Sequence, residues 1–263
     1  MRLPRFGVTA VCTAIAITIA GVRLIAPVPL EVLDRKFLDF RHLVRGPVAA
    51  SDRVVIVAID EPSLARLGRW PWPRARLAEL VERLDSAGVA AIGFDIVLDQ
   101  PETAVDRRAL DAALAADPQR PAAALRDVVR DELDDDARLA GALQRSGHVV
   151  LAHFFEFTGT PAPELAQTTA KLPEISVLTL SGARLDAVPG PLAATRARVP
   201  IPPLATAAAG TGHINFVPDP DGLYRRLPVA VRVGDRLVPS LALDLLRVVG
   251  DGPASLTVAP AGV

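Results

Sequence analysis

The sequence predicts an α/β fold: an N-terminal transmembrane helix, then a mainly parallel sheet flanked by helices, with a β-hairpin near the C-terminus. Three observations predict it. Phe6–Val22, "FGVTAVCTAIAITIAGV", carries no charge. Two short apolar runs, Val54–Ile59 and Val89–Phe94, flank a stretch whose apolar residues recur at helical spacing. Gly234 and Asp235 form a tight-turn pair between two apolar runs.

Composition bounds the reading. The 263 residues are 50% hydrophobic, enough for one large domain or two small ones. A formal net charge of −1 provides no global field for nucleic acid or anionic membranes, so no nucleic-acid partner is expected. The lysines are Lys36 and Lys171 alone, and the arginine and alanine excess reads as coding bias. One cysteine, Cys12, allows neither an intrachain disulfide nor a CxxC metal site.

Phe6–Val22 is close to the minimum for a membrane-spanning helix, about 17 residues, and the span is expected over Phe6–Ala26. Arg23 would snorkel from its end. The rival is a cleaved signal peptide, with Arg2 and Arg5 as its basic region and Thr18 and Ala20 as a cleavage site. Positive charges on both sides of the span leave its orientation open. Leu30, Leu33, Phe37, Phe40 and Val44 recur at helical spacing and predict a helix over Leu30–Arg45, stopped by Gly46 and Pro47.

Val54–Ile59 reads as a strand covered on both faces. Pro73 opens a helix with Leu77, Leu80, Val81 and Leu84 on one stripe, and Gly88 ends it. Val89–Phe94 is the next strand, completing a βαβ unit with a right-handed crossover. Ala104–Ala116 reads as helical. "RDELDDDARLAGALQRSG" reads as an acidic helix start, an amphipathic helix and a glycine stop. His148–Phe157 is a strand, and residues 158–200 form a long loop or insertion. Ile214–Val217 and Leu223–Val233 are expected strands around a "PDPDG" turn. Pro239 and Ser240 open a helix carrying Leu241, Leu245 and Val248, and Leu256–Ala259 is a last short strand.

"VVIVAIDEPSLARLGRWPWPRARLAELVERLDSAGVAAIGFDIVLDQPE" resembles the type-two CHASE domain, as do "ARLAGALQRSGHVVLA" and "GHINFVPDPDGLYRRLPVAVRVGDRLVPSLALDLL". The resemblance covers most of Leu30–Val249. It implies a sensory domain outside the cytoplasmic (inner) membrane, associated with bacterial cyclases and histidine kinases. Residues 1–29 would then be a cytoplasmic tip and membrane helix, and 30–263 the extracytoplasmic domain. Family members continue with "GKIVLIG"-like and "PGVEIHA"-like stretches, then further membrane helices and a cytoplasmic cyclase, diguanylate cyclase or kinase. Neither stretch is in this sequence, so the resemblance implies a sensory domain cut short.

Asp60, Glu61, Asp95 and Asp99 follow or end the first two apolar runs. Strand ends converge at the C-terminal edge of a parallel sheet, where carboxylates would grip a polar ligand or a cation. The alternative is that Asp60 caps its turn and Asp95 accepts backbone N–H groups in its loop. No nucleophile or histidine stands at short spacing to complete a catalytic set, so no catalytic residue, metal or cofactor is assigned. Trp70 and Trp72 in "GRWPWPR" are held by the prolines that follow them, and form a ligand-stacking face or cover the sheet. Arg74 joins the candidate ligand set; Arg69, Arg74 and Arg76 would pair with solvent or the nearby acids, or bind an anion. Phe37 and Phe40 are the candidate signal relay. His148 and His153 lie an odd number apart and fall on opposite strand faces. His213 reads as a turn or strand-start residue, and "GTG" at Gly210–Gly212 as a turn, since it lacks the rest of a dinucleotide motif. "PDPDG" is too short for a calcium loop.

Three functions follow. The first is a membrane-anchored sensor that takes an unknown small-molecule or protein signal, with a homodimer expected where relatives act through a dimeric effector. The second is a metal-dependent hydrolase using Asp60, Asp95 and Asp99. The third is a cell-envelope interaction module with Trp70–Trp72 as its contact surface.

Overall fold

A computed structural model describes residues 5–25, 27–102, 134–158, 162, 165, 179–181, 193–234, 236–250 and 255–257. The chain divides into two units, Met1–Ile59 and Asp60–Val263.

In the first unit, helix α1 spans Arg5–Ile25 and helix α2 spans Pro27–Arg45. Thr13 and Thr18 donate their hydroxyls to the carbonyls four residues back, at Thr9 and Ala14. No helix among the described residues is long and apolar enough to cross a membrane. A helix does form where the span was expected over Phe6–Ala26, but it does not meet that measure. Helix α2 ends at Gly46, whose positive φ of 70° suits glycine and whose N–H reaches the His42 carbonyl at 3.1 Å. Val54–Ile59 does not form the expected strand; Val54 to Ala58 are exposed, and the run belongs to no helix or strand.

The second unit is a mixed α/β fold. Helix α3 (Glu61–Leu67) and helix α4 (Arg74–Ser86) precede strand β1 (Ile92–Val97). Then come α5 (Asp135–Ser146), β2 (Val149–Glu156), β3 (Thr179–Ser181), β4 (Arg196–Arg198), α6 (Pro202–Ala207) and β5 (Gly210–His213). The last elements are β6 (Ala230–Val233), β7 (Arg236–Pro239), α7 (Leu241–Gly250) and β8 (Ser255–Thr257). Strand β2 is central: β1 and β5 pair with it in parallel, and β4 pairs antiparallel with its last three residues. β3 and β8 form a small parallel pair, and β6–β7 an antiparallel hairpin turned at Gly234, φ 61°.

One core packs Leu77, Ala78 and Val81 of α4 and Leu139, Ala142 and Leu143 of α5 onto Ile92, Phe94, Val149 and Leu151 of the sheet. Of the expected stripe on α4, Leu77 and Val81 are buried, Leu84 packs half-buried against the core, and Leu80 is half-buried. A second cluster joins Phe155 to Val231, Val233 and Val238 of the hairpin. Helix α5 starts and stops as its sequence directs: the Asp134 carboxylate accepts the Ala137 N–H, and Gly147 adopts φ 69°.

Several boundaries differ from expectation. The second apolar run becomes a strand three residues later, so Asp95 lies within β1, exposed, and not at a strand end. Residues 158–200 contain pairing strands, β3 and β4, besides loop. "GTG" is strand rather than turn. Ile214–Val217 lies outside any strand, and only Ala230–Val233 of the expected Leu223–Val233 strand pairs. The helix over Ala104–Ala116 lies outside the described residues.

Candidate functional site at the C-terminal edge of the sheet

Chain direction makes this site. β1 leads into Leu98–Glu102, and helices α4 and α5 bring their first turns to that segment. The Arg74 backbone N–H, at the start of α4, donates to Glu102 Oε2 at 2.6 Å. The first N–H groups of a helix lack intrahelical acceptors, and Pro73 has no side chain to supply one. Glu102 thus caps a helix that begins 28 residues earlier. The Glu102 N–H donates in turn to Asp136 Oδ2 at 2.9 Å, in the first turn of α5. The Arg74 side chain closes the ring. Its Nη2 donates to the Gln100 carbonyl at 3.2 Å, and its Nε lies 3.4 Å from Asp136 Oδ1. Arg74 and Asp136 are only 12% and 13% exposed, so their attraction is less screened than at an open surface.

Burial pushes the Glu102 carboxyl above its ordinary value, and the charges of Asp135 and Asp136 add to that. The N–H and guanidinium of Arg74 pull the other way. Glu102 thus holds the backbone N–H of Arg74 and Asp136 faces its guanidinium, so one residue is gripped by two carboxylates at different groups.

The expected site residues fall around this cluster unevenly. Asp60 caps α3, accepting from the Ser63 N–H at 3.0 Å and the Ser63 hydroxyl at 2.6 Å, and those bonds hold its pKa low. Glu61 lies in the first turn of α3. Asp99 accepts from Arg198 Nε at 2.8 Å, tying the end of β1 to β4. Trp72 is buried and donates its indole N–H to the Gly68 carbonyl at 2.8 Å, which makes it a wall of the fold. Trp70 meets it edge-on at 5.8 Å and is 38% exposed. Arg76 donates to the Leu67 carbonyl at 2.7 Å instead of to an acid. Arg74 alone of the expected set enters this half-buried ring. Among the described residues no group of three or more His, Cys, Asp or Glu side chains is placed to hold a metal ion.

A second polar group lies farther along the sheet. In the parallel register of β2 and β5, His153 stands directly beside His213. Adjacent strands run about 4.8 Å apart, so the two imidazoles share one face. Both are buried. His213 Nδ1 accepts the Asn215 N–H at 3.3 Å, which puts its proton on Nε2. Burial lowers the His153 pKa to about 3, with the charge of His213 adding to the effect, and lowers His213 to about 4. Past His213, the Asn215 side chain continues the ladder: the Phe155 N–H donates to its Oδ1 at 2.9 Å and its Nδ2 donates to the Phe155 carbonyl at 2.7 Å. His148 stands apart, 3.2 Å from Asp85 Oδ1.

Glu102, Asp136, Asn215 and the His153–His213 pairing are not singled out by spacing in the sequence. Reading "GTGH" as a strand would have set His213 beside His153. Glu102 stands only three residues beyond Asp99, but its partner helix gives no local signal. The acids of "PDPDG" shape their own turn, where Asp219 and Asp221 both hold the Arg225 guanidinium at 2.8 Å.

The model of the CHASE2 domain family matches residues 12–259. No curated protein and no solved structure matches the chain. The match takes in nearly the whole sequence, both the half-buried ring at Arg74 and the histidine pair, and the chain belongs to the CHASE2 family of sensory domains.

Proposed function

We propose that the chain is a membrane-anchored extracytoplasmic sensor domain. Helix α1 anchors it in the inner membrane, and a small-molecule or protein signal acts at the C-terminal edge of the sheet. Helix α2, with Phe37 and Phe40, passes the change to a cytoplasmic cyclase, diguanylate cyclase or kinase carried beyond these residues. One observation carries the reading of the site: Arg74, Glu102 and Asp136 tie three elements together through partly opposed charges. A signal that prefers the state in which Glu102 has left α4 shifts the population by its differential affinity for the two states.

Intact-cell labelling tests the placement. In a Cys12→Ser background, Ser51→Cys should react with a membrane-impermeant maleimide in whole cells or spheroplasts, and the chain should stay in the membrane fraction through an alkaline wash. Labelling only after lysis, or release by the wash, rejects the anchor and the outside location. The site is tested in the form that carries its effector. Arg74→Ala should hold the output at one level whatever the signal; a normal signal response in a folded Arg74→Ala protein removes the ring from the mechanism.

A further inference from the structure

Helix α2 carries an unpartnered seam. Leu30, Leu33, Phe37, Phe40 and Val44 are spaced 3, 4, 3 and 4 apart. That is the a/d pattern of a coiled coil, and Leu43, 82% exposed, widens it on one side. Leu33, Phe37, Phe40 and Val44 are all exposed, Phe37 to 63% and Phe40 to 58%. The two rings lie 6.4 Å apart on one face. Four large apolar side chains in a row on one helix face call for a cover.

The flanking charges identify the cover and its direction. With Phe37 at a and Phe40 at d, Asp34 and Arg41 occupy e positions and Lys36 a g position. In a parallel pair, each g residue faces the e residue five positions on in the other helix. Lys36 would then face Arg41 twice, cation against cation. In an antiparallel pair e faces e, and Asp34 meets Arg41 twice. The same arrangement sets Phe37 against Phe40 and Leu33 against Val44. All three charged side chains are exposed. We propose that α2 is a self-association seam, pairing antiparallel with α2 of a second copy of this chain.

The pairing deepens the relay role given to Phe37 and Phe40 and rests on that reading for its consequence. Two heptads are few, so the contact is weak and easily shifted, as a relay element should be. Crosslinking reads the pairing itself and labelling in intact cells reads the anchor, so either can fail without the other.

The experiment uses the full chain with Cys12→Ser, in membranes, under mild oxidation. Phe37→Cys and Phe40→Cys are made separately, with tags of different size. Co-expressed, they should give a mixed disulfide-linked dimer, with little homodimer from either variant alone. Homodimers of Phe37→Cys and of Phe40→Cys in place of the mixed species would show parallel pairing and overturn the proposal. Crosslinks in none of the three samples would also overturn it, assigning the seam to lipid or to another part of the chain. Charge reversal supplies a second reading that leaves the apolar seam intact. Asp34→Lys should lower the mixed crosslink roughly fivefold, and Asp34→Arg with Arg41→Asp in the same chain should restore it; equal yields in all three backgrounds would sink the antiparallel register.

Discussion

Val54–Ile59 and Gly210–His213 differ in every respect that matters for a strand. The first is six apolar residues, all β-branched except Ala58, and most of its side chains face solvent, Ile56 to 87%. The second holds two glycines and a histidine, and all four residues are buried within the sheet. A β-branched run is a fit to a pleated, half-covered surface, and it has no use without a neighbour. Gly210–His213 is packed by its neighbours. β2 supplies its ladder, and α7 lies so close over Gly210 and Gly212 that no side chain would fit between. A Cβ on Gly210 would strike the Asp244 carboxylate and the Arg247 guanidinium. The two glycines are therefore the condition for helix-on-strand packing rather than a weakness in the strand.

The largest effect should come from breaking that packing at its charge. Asp244 is fully buried, and its carboxylate accepts from Arg247 Nε at 2.6 Å while Arg247 Nη2 donates to the Ala209 carbonyl at 2.7 Å. Arg247→Met keeps much of the volume and removes the guanidinium from a buried carboxylate. It should cost about 3–5 kcal/mol in urea unfolding. A loss under about 1 kcal/mol would show that the pair is solvated and that α7 is not clamped to β5.

Gly212→Ala comes next. Its Cβ would meet the backbone of Ser240 and Leu241, with the Ser240 carbonyl carbon at 2.7 Å. Backbone cannot turn aside as a side-chain tip can, so α7 must shift, at a cost of about 3 kcal/mol. Gly222→Ala, at a surface turn with open space around it, should cost less despite its φ of 80°. Equal losses at the two glycines would mean that backbone conformation, not the close approach of α7, decides the need for glycine at Gly212.

These examples show what was legible in the sequence. The cap, stripe and glycine stop of α5, the stripe of α4 and the hairpin at Gly234 are local patterns, written within one turn or one helix. The sequence motif also identified the family. What escaped was set by distance: Glu102 capping a helix 28 residues away, Asn215 completing the ladder of β2, and α7 choosing glycine on β5. No period or propensity encodes which element will lie alongside. Asp60 caps α3 through Ser63, three residues on, while Asp95 is exposed within β1.

The histidines sharpen the comparison through pH. The folded state lowers His153 to about 3 and His213 to about 4, against an ordinary value of 6.5. The unfolded chain therefore takes up protons first as pH falls, and stability present above about pH 6.5 drains away toward pH 4 and below. At pH 5 the loss is on the order of 2 kcal/mol for each imidazole. Glu102, with its raised carboxyl, acts in the opposite sense, losing stability as pH rises above the ordinary 4.5. Urea unfolding at pH 7 and pH 5 in a Glu102→Gln background isolates the histidines. His153→Phe with His213→Phe should flatten the difference; an unchanged slope would place the acid sensitivity elsewhere.

The smallest effect should be at Ile56, and its smallness is the point. If Val54–Ile59 has no neighbour, then Ile56→Thr removes an exposed methyl-rich side chain and adds a hydroxyl that water satisfies. Unfolding of Asp60–Val263 should move by no more than about 0.5 kcal/mol. Amide exchange across Val54–Ile59 should also be fast, because backbone groups outside a ladder open at little cost. A loss of about 1 kcal/mol or more from Ile56→Thr, with slow exchange along the run, would say that the segment does sit in a sheet. The contrast with Gly210–His213 would then dissolve, and composition would have been the better guide to Val54–Ile59 after all.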